Sequence, residues 1–326
     1  MKNFIKKYYS ILLSFILIYI SVKVYNIEDK LYLIRDFDFL SILLSIFLAF
    51  TLYFLTGLQY STLLFSQKIQ FNKSDLLLFP IVMNLWSFII PFQGSLFFST
   101  VFFMKKYKRK VSSSIAISLF MYSLSLSLTG IIGFFFIYSI HRLNFLVFFL
   151  LLLLTIFPFL FLYLNKISKR LIQLNLRGYT FKIVLFIDNI STSVMEMLLD
   201  RKLIIKLILY KIIQIIVMTF WYFLISETLN FKIDLIVLLL LSLIAELALI
   251  IKVTPDNLGI TQLISGLFLT YFDFNPESGV IISLIISAIS ILIVFTVGLI
   301  GNYIFMKKYN LLSTKELINE FKLTNN

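Results

Sequence analysis

The feature that most constrains this chain is a series of long stretches without one Asp, Glu, Lys or Arg. They cover residues 39–67, 76–104, 111–140, 143–165 and 279–306, with shorter ones at 8–22 and 212–226. An α-helix rises 1.5 Å per residue, so about 20 apolar residues cross a hydrocarbon core about 30 Å thick. Hydrophobic residues make up 60% of the 326 and charged residues 14%, more apolar surface than a soluble core of this length can hide. Unpaired backbone groups are not tolerated in lipid, so such runs must be helices; a barrel would instead alternate polar and apolar residues over segments of about 10. The expected fold class is all-α, a polytopic membrane protein.

No small-residue cleavage site follows the first span, which is therefore read as a retained anchor rather than a secretory signal. The net charge of +13 does not point to nucleic acid, because the basic residues lie at the ends of apolar runs and not along a soluble face. They fit instead the rule that cytoplasmic loops of membrane proteins are rich in Lys and Arg. The chain has no cysteine, which removes disulfides, thiol catalysis and thiolate metal sites.

Charge then sets the expected path. Lys2, Lys6 and Lys7 precede the first span, while Glu28, Asp29, Asp36 and Asp38 follow it, so the N-terminus is placed inside. The second span returns to Lys68 and Lys73. If residues 76–104 crossed once, the dense basic group Lys105, Lys106, Lys108, Arg109 and Lys110 would lie outside. The segment is also long for one untilted span, and Pro91-Phe92-Gln93-Gly94 breaks it near its middle. Two half-helices dipping in from the cytoplasm remove the conflict. Residues 111–140 then go out, 143–165 return, and the basic segment 166–206 lies inside. Within that segment Phe181, Val184, Leu185, Ile187, Val194 and Leu198 oppose Asp188, Ser191 and Asp200, which predicts an amphipathic helix in the membrane interface, either a surface tether or a lid.

The conflict returns after Glu227. Residues 235–251 and 258–272 are both apolar, yet the last span must end inside at Lys307 and Lys308. A second hairpin, dipping from the outside with its break at Thr254-Pro255-Asp256-Asn257, resolves it. The expected layout is about six full spans and two opposed re-entrant hairpins, with residues 1–306 as one transmembrane domain, 307–326 as a short cytoplasmic tail, and both termini inside. Two breaks entering from opposite faces are what an inverted repeat leaves in a sequence; the alternative is two unrelated proline kinks within ordinary helices.

Half-helix N-termini at membrane depth present free N–H groups and a positive dipole end, which attract anions. The candidate headgroup contacts are therefore the backbone at Gly94, Ser95, Asn257, Leu258 and Gly259, although Ser95 and Asn257 also suit plain helix capping. Glu246 lies within an apolar segment, where an ionisable group is costly and marks a functional candidate; a protonated structural role is equally open to it. Lys252 is its nearest cation in sequence. Lys211 is read as snorkelling to the cytoplasmic interface. His141 falls in a short outer turn, and Ser123, Ser127 and Gly130 are spaced for helix packing. One histidine and no cysteine leave no metal cluster, phosphate loop or nucleophile–base set. No catalytic residue, metal or cofactor is expected.

The stretch Val253-Thr254-Pro255-Asp256-Asn257-Leu258-Gly259-Ile260-Thr261-Gln262 resembles the threonine-proline-glycine-asparagine-leucine-glycine segment of the flippase-like transmembrane domain of lysylphosphatidylglycerol synthases, which usually ends in glutamate. Pro91-Phe92-Gln93-Gly94-Ser95 is similar to that family's proline turn ending glycine-glutamate, which an arginine and a basic loop follow. The resemblance covers nearly the whole chain in span order. Ser95 and Gln262 stand where the family has glutamates, Asp256 where it has glycine, and no arginine lies between Ser95 and Met104. By this resemblance Gln262 joins Gly94, Ser95, Glu246, Lys252, Asn257 and Gly259 as a candidate substrate-binding residue.

The resemblance implies movement of a lipid, while synthesis of an aminoacyl lipid would need a soluble domain; only residues 307–326 follow the last span. The expected function is translocation of a lipid or lipid-linked glycan with an anionic headgroup across the cytoplasmic membrane, without enzyme activity. Its partners would be membrane lipids and not nucleic acid. The alternative is a non-catalytic membrane partner of a separate glycosyltransferase or aminoacyl-lipid synthase, docked on the basic loops.

Overall fold

Helices fill the computed structural model, as the uncharged stretches require. It describes residues 2–25, 27–28, 32, 37–90, 94–139, 145–157, 159–174, 178–250 and 254–309, and no strand occurs among them. Four helices are long and apolar enough to cross a membrane: α2 (Phe39–Ser66), α5 (Val111–Ser139), α9 (Arg201–Thr228) and α12 (Pro276–Tyr309). Ahead of them α1 (Lys2–Val24) runs for 23 residues. The protein is a multi-pass, all-α membrane protein.

Both expected hairpins are present. Helices α3 (Asp75–Ile89) and α4 (Gly94–Tyr107) pack against each other. Their 15 and 14 residues make rods of about 21–23 Å, short of the roughly 30 Å core. Asp75 at the start of α3 forms an ion pair with Lys106 at the end of α4 and accepts a hydrogen bond from the Tyr309 hydroxyl at the end of α12. Both feet of this hairpin therefore share one end of the bundle with the C-terminus of α12. Exposed Lys68, Lys73, Lys108, Lys110, Lys307 and Lys308 surround them, and we refer to this as the basic end.

The second hairpin joins α10 (Leu235–Ile250), a 3-10 turn (Pro255–Asn257) and α11 (Ile260–Tyr271). Its feet follow the end of α9 and precede the start of α12, and both lie at the opposite end of the bundle. There the Ser41 and Thr228 hydroxyls, 2.9 Å apart, join the start of α2 to the end of α9. Exposed Asp38, Glu227, Asp234 and Asp273 make this end acidic. Hydrogen bonds from Ser41 hold the Asp38 carboxyl below the usual carboxylate range while it caps α2. The two hairpins thus enter from opposite ends, each closed by a break near mid-depth.

Close backbone contact fixes both breaks. A Cβ on Gly94 would lie 2.0 Å from the Trp86 carbonyl oxygen, so only glycine lets α4 start against α3. Gly259 has φ +86°, and a Cβ there would meet Leu17 of α1 at 2.3 Å. The first hairpin is filled by aromatic rings: Phe79 is fully buried and lies 4.7–5.9 Å from the ring centres of Tyr60, Phe71, Phe98, Phe102 and Phe103.

One expectation changes. Residues 143–165 do not form one span: α6 (Phe145–Ile156) ends in a turn at Phe157, and α7 (Phe159–Gln173) starts afresh. The sequence has proline at 158, whose missing N–H and ring disfavour a continuous helix. Ser127 donates to the Thr155 carbonyl at 3.0 Å, so α6 lies beside the acidic-end half of α5. The basic-end half is covered by α8 (Gly178–Leu199).

The segment 166–206 holds the end of α7, all of α8 and the start of α9, so the helix expected within it is present. The polar residues of α8 divide between two sides. Ser168 donates to Asp188 at 2.7 Å and Asn165 to Thr192 at 2.7 Å, both from α7, while Ile183, Leu185 and Ile187 are exposed. Lys182, Asn189 and Glu196 of the same helix are exposed as well. Helix α12 continues to Tyr309, past the expected boundary at 306; residues beyond 309 lie outside the described ones.

Candidate functional site

Between the hairpins, near mid-depth, lies a cavity of about 300 Å³. Its walls come from the middles of α2, α5, α9 and α12, from α3, and from α10 and the first turn of α11. In a bilayer each exposed polar group is costly, so polar side chains gather where they can pair or meet water. They gather here.

Two glutamines join the walls. Gln59 Nε2 on α2 donates to Gln214 Oε1 on α9 at 2.9 Å, and Gln214 Nε2 donates to Thr56 Oγ1 at 2.8 Å. Thr56 passes its own proton to the Leu52 carbonyl at 2.9 Å. Facing them, Asn84 of α3 reaches toward the Tyr53 hydroxyl at 3.5 Å, and Tyr122 of α5 completes the polar rim. Ser242 on α10 pairs with Thr219 on α9 at 3.2 Å. Most of the surface is nonetheless apolar, from Met83, Met121, Met218, Ile215, Ile286 and Trp221 among others.

Lys211 also belongs to this wall, with 5% of its surface exposed. The snorkelling expected from sequence does not occur. Lys211 lies ten residues into α9, about 15 Å along the axis, beyond what its four-carbon stem can bridge to the basic end. Lys211 and Gln214 are three residues apart and share one helix face.

The residues expected from sequence are placed otherwise. Gly94 and Ser95 are buried at the start of α4, where the Ser95 hydroxyl lies 3.1 Å from that of Tyr122, one layer behind the cavity wall. The free N–H groups expected at the second break are used internally. Asn257 donates to Thr254, Leu258 to Pro255, and Gly259 to Gln262 Oε1 at 2.6 Å. Asn257 is fully buried with φ 54°, a left-handed conformation that Asn adopts more readily than most residues. Gln262 Nε2 donates to the Ser283 carbonyl at 3.3 Å and to the Ser287 hydroxyl at 3.0 Å, tying α11 to α12.

None of these five lines the cavity; their neighbours Thr261, Ser283 and Ser287 do. The backbone of Glu246 lies in α10, but its side chain, like Lys252 and His141, lies outside the described residues. Among the described residues no group of three His, Asp or Glu side chains could hold a metal ion.

Sequence reasoning passed over Gln59, Gln214, Asn84 and Tyr122. The available signal was an amide or phenol near the centre of an otherwise apolar run, and ionisable residues and breaks drew the attention instead. Comparison with known families gives a match to the lysylphosphatidylglycerol synthase TM region over residues 8–298. No curated protein and no solved structure matches.

Proposed function

This chain belongs to the lysylphosphatidylglycerol synthase TM region family, and on that premise we propose that it translocates a lipid, or a lipid-linked glycan, with an anionic headgroup. The observation that carries this reading is the mid-depth cavity, walled by both opposed hairpins and lined in part by amides, hydroxyls and the Lys211 side chain. A headgroup needs a polar site at that depth, whereas its tails need none. A half-helix hairpin approaches the cavity from either side, and broken helices of this kind form the substrate sites of many transporters built from inverted repeats.

Basic and acidic ends orient the protein in the cytoplasmic membrane with Lys307 and Lys308 inside, by the charge rule. The N-terminus is then inside as well. The role needs binding and release but no bond-making, so the protein acts without catalysis. The test is reconstitution of the purified chain in liposomes with tail-labelled phospholipid or polyprenyl-phosphate lipid. Faster exchange between leaflets than in empty vesicles is expected, and equal rates refute the proposal.

A second reading has one specific observation in its favour. Lys166, Lys169, Arg170 and Lys182 are exposed on α7 and α8, forming a basic face on which an envelope enzyme could dock. Loss of a co-purifying enzyme when these residues are changed to Gln supports it, and unchanged recovery removes it.

A further inference from the structure

The hairpin of α7 and α8 carries an inference that does not depend on the translocation reading. Helix α6 has 12 residues and covers about 18 Å, so α7 begins near mid-depth. At 1.5 Å per residue the rest of a roughly 30 Å core takes about eight more residues, and the surface of α7 changes there. Phe159, Leu160, Tyr163 and Leu164 are exposed and apolar, and exposed Lys166, Lys169 and Arg170 follow. Helix α7 leaves the hydrocarbon at about Lys166.

The outer half of α8 lies outside with it. Asn165 donates to Thr192 and Ser168 to Asp188, each at 2.7 Å, so the two helices run antiparallel and the residues before Asp188 sit level with the last turns of α7. Their side chains do not suit water. Ile183 is 43% exposed, and Leu185, Phe186 and Ile187 are exposed too, as is Leu174 just beyond α7. A patch of this kind needs cover. The hairpin cannot swing round to hide it, because its inner half is anchored: Phe161, Val194 and Met197 are buried with Ala116, Ile117 and Phe120 of α5.

Charge indicates the occupant. Exposed Lys166, Lys169, Arg170 and Lys182 share this outer half, and Asp188, which accepts from Ser168, is the only acid in 166–189. Basic residues interleaved with apolar ones at the bilayer boundary match anionic lipid, whose phosphates meet the cations while apolar side chains enter the headgroup layer. The patch also continues along α7 into lipid-facing Tyr163 and Leu164, which favours the bilayer over a soluble enzyme as its partner.

We infer that residues 166–188 form an arm that docks on anionic headgroups of the leaflet at the basic end. Lys166, Lys169, Arg170 and Lys182 meet the phosphates, and Ile183, Phe186 and Ile187, spaced to share one helix face, enter the headgroup layer.

The chain has no cysteine, so Ile183→Cys in the full chain gives one site for an environment-sensitive nitrobenzoxadiazole dye. The labelled protein is reconstituted in vesicles of phosphatidylcholine alone or mixed with an equal amount of phosphatidylglycerol. Emission should be bluer in the mixed vesicles than in phosphatidylcholine. It should move back toward the water value on going from about 0.1 M to about 1 M salt, which shortens the Debye length from about 10 Å to about 3 Å. Changing any one of the four cations to Gln should lower the ratio of docked to undocked arm about fivefold.

The same dye at Ile216→Cys, on the exposed face of α9, should read hydrocarbon in both mixtures and shows that each variant is folded. Emission from position 183 that is equal in the two mixtures overturns the inference. A watery value in both leaves the basic face to a protein partner, and an apolar value in both makes the arm a lipid contact indifferent to charge.

Discussion

The ion pair between Asp75 and Lys106 should behave as one unit whose two halves are useless apart. The side chains are 1% and 7% exposed, and they close the feet of the first hairpin against α12. Lys106 also lies 4.8–5.3 Å from the ring centres of Phe71, Phe102, Tyr107 and Tyr309, while Asp75 takes the Tyr309 hydroxyl at 3.1 Å. Removing one partner leaves a buried charge and costs about 3–5 kcal/mol, whereas replacing both with apolar groups of similar size is often close to neutral.

Lys106→Met and Asp75→Leu should therefore each destabilise by about 3 kcal/mol or more, and the double variant by less than the sum of the two. Rings around Lys106 and the hydroxyl on Asp75 relieve part of each single loss, which sets the lower figure. The assay is unfolding in mixed micelles titrated with sodium dodecyl sulfate, followed by circular dichroism, on all four proteins of the cycle. A coupling of at least about 2 kcal/mol is expected, well above the roughly 0.5 kcal/mol within which independent sites add. Additive losses would refute the pair as a clasp and leave the hairpin held by its aromatic packing alone.

Two further changes test the breaks. Gly94→Ala places a Cβ 2.0 Å from the Trp86 carbonyl and should cost about 1–3 kcal/mol by overpacking; an unchanged melting temperature in detergent would show that α4 does not start against α3. Gln262→Glu keeps the acceptor for the Gly259 N–H but loses the donors to Ser283 and Ser287, so it should destabilise by about 1–3 kcal/mol, more at pH 8 than at pH 5, where a protonated carboxyl restores one donor. Equal stability at both pH values would count against the Gln262 bridge.

Charge made the hairpins legible. Lys105 to Lys110 would otherwise have lain on the acidic side, and the same conflict at Lys307 and Lys308 exposed the second hairpin, which the Asp75–Lys106–Tyr309 contact now bears out. The interrupted span was legible only in part: Pro158 stood in plain view, but an apolar run long enough to cross the bilayer outweighed it. The cavity was beyond reach for another reason. Gln59 and Gln214 are 155 residues apart, and nothing in the local spacing of either run says that they meet. Lys211 was legible from its position: ten residues into α9, at 1.5 Å per residue, it lies deeper than its stem can bridge.

The two breaks carry the family resemblance, yet in this chain they do architectural work. Gln262 accepts one hydrogen bond from the turn and gives two to α12. An ionised glutamate could take the first but would set a negative charge against the Ser283 carbonyl, so the amide and its α12 acceptors belong together. Ser95 shows the same logic on a smaller scale. Its hydroxyl meets Tyr122 within a buried layer, where a carboxylate would need a cation at that spot, and no arginine follows Ser95 before Met104. Both positions have become neutral, and both now brace residues that line the cavity, Ser287 and Tyr122. On the proposed translocation, headgroup contact falls to the wall itself, where α2 and α9 bring amides together from 155 residues apart. On that reading the wall's side chains meet the headgroup, while the breaks hold the wall in place.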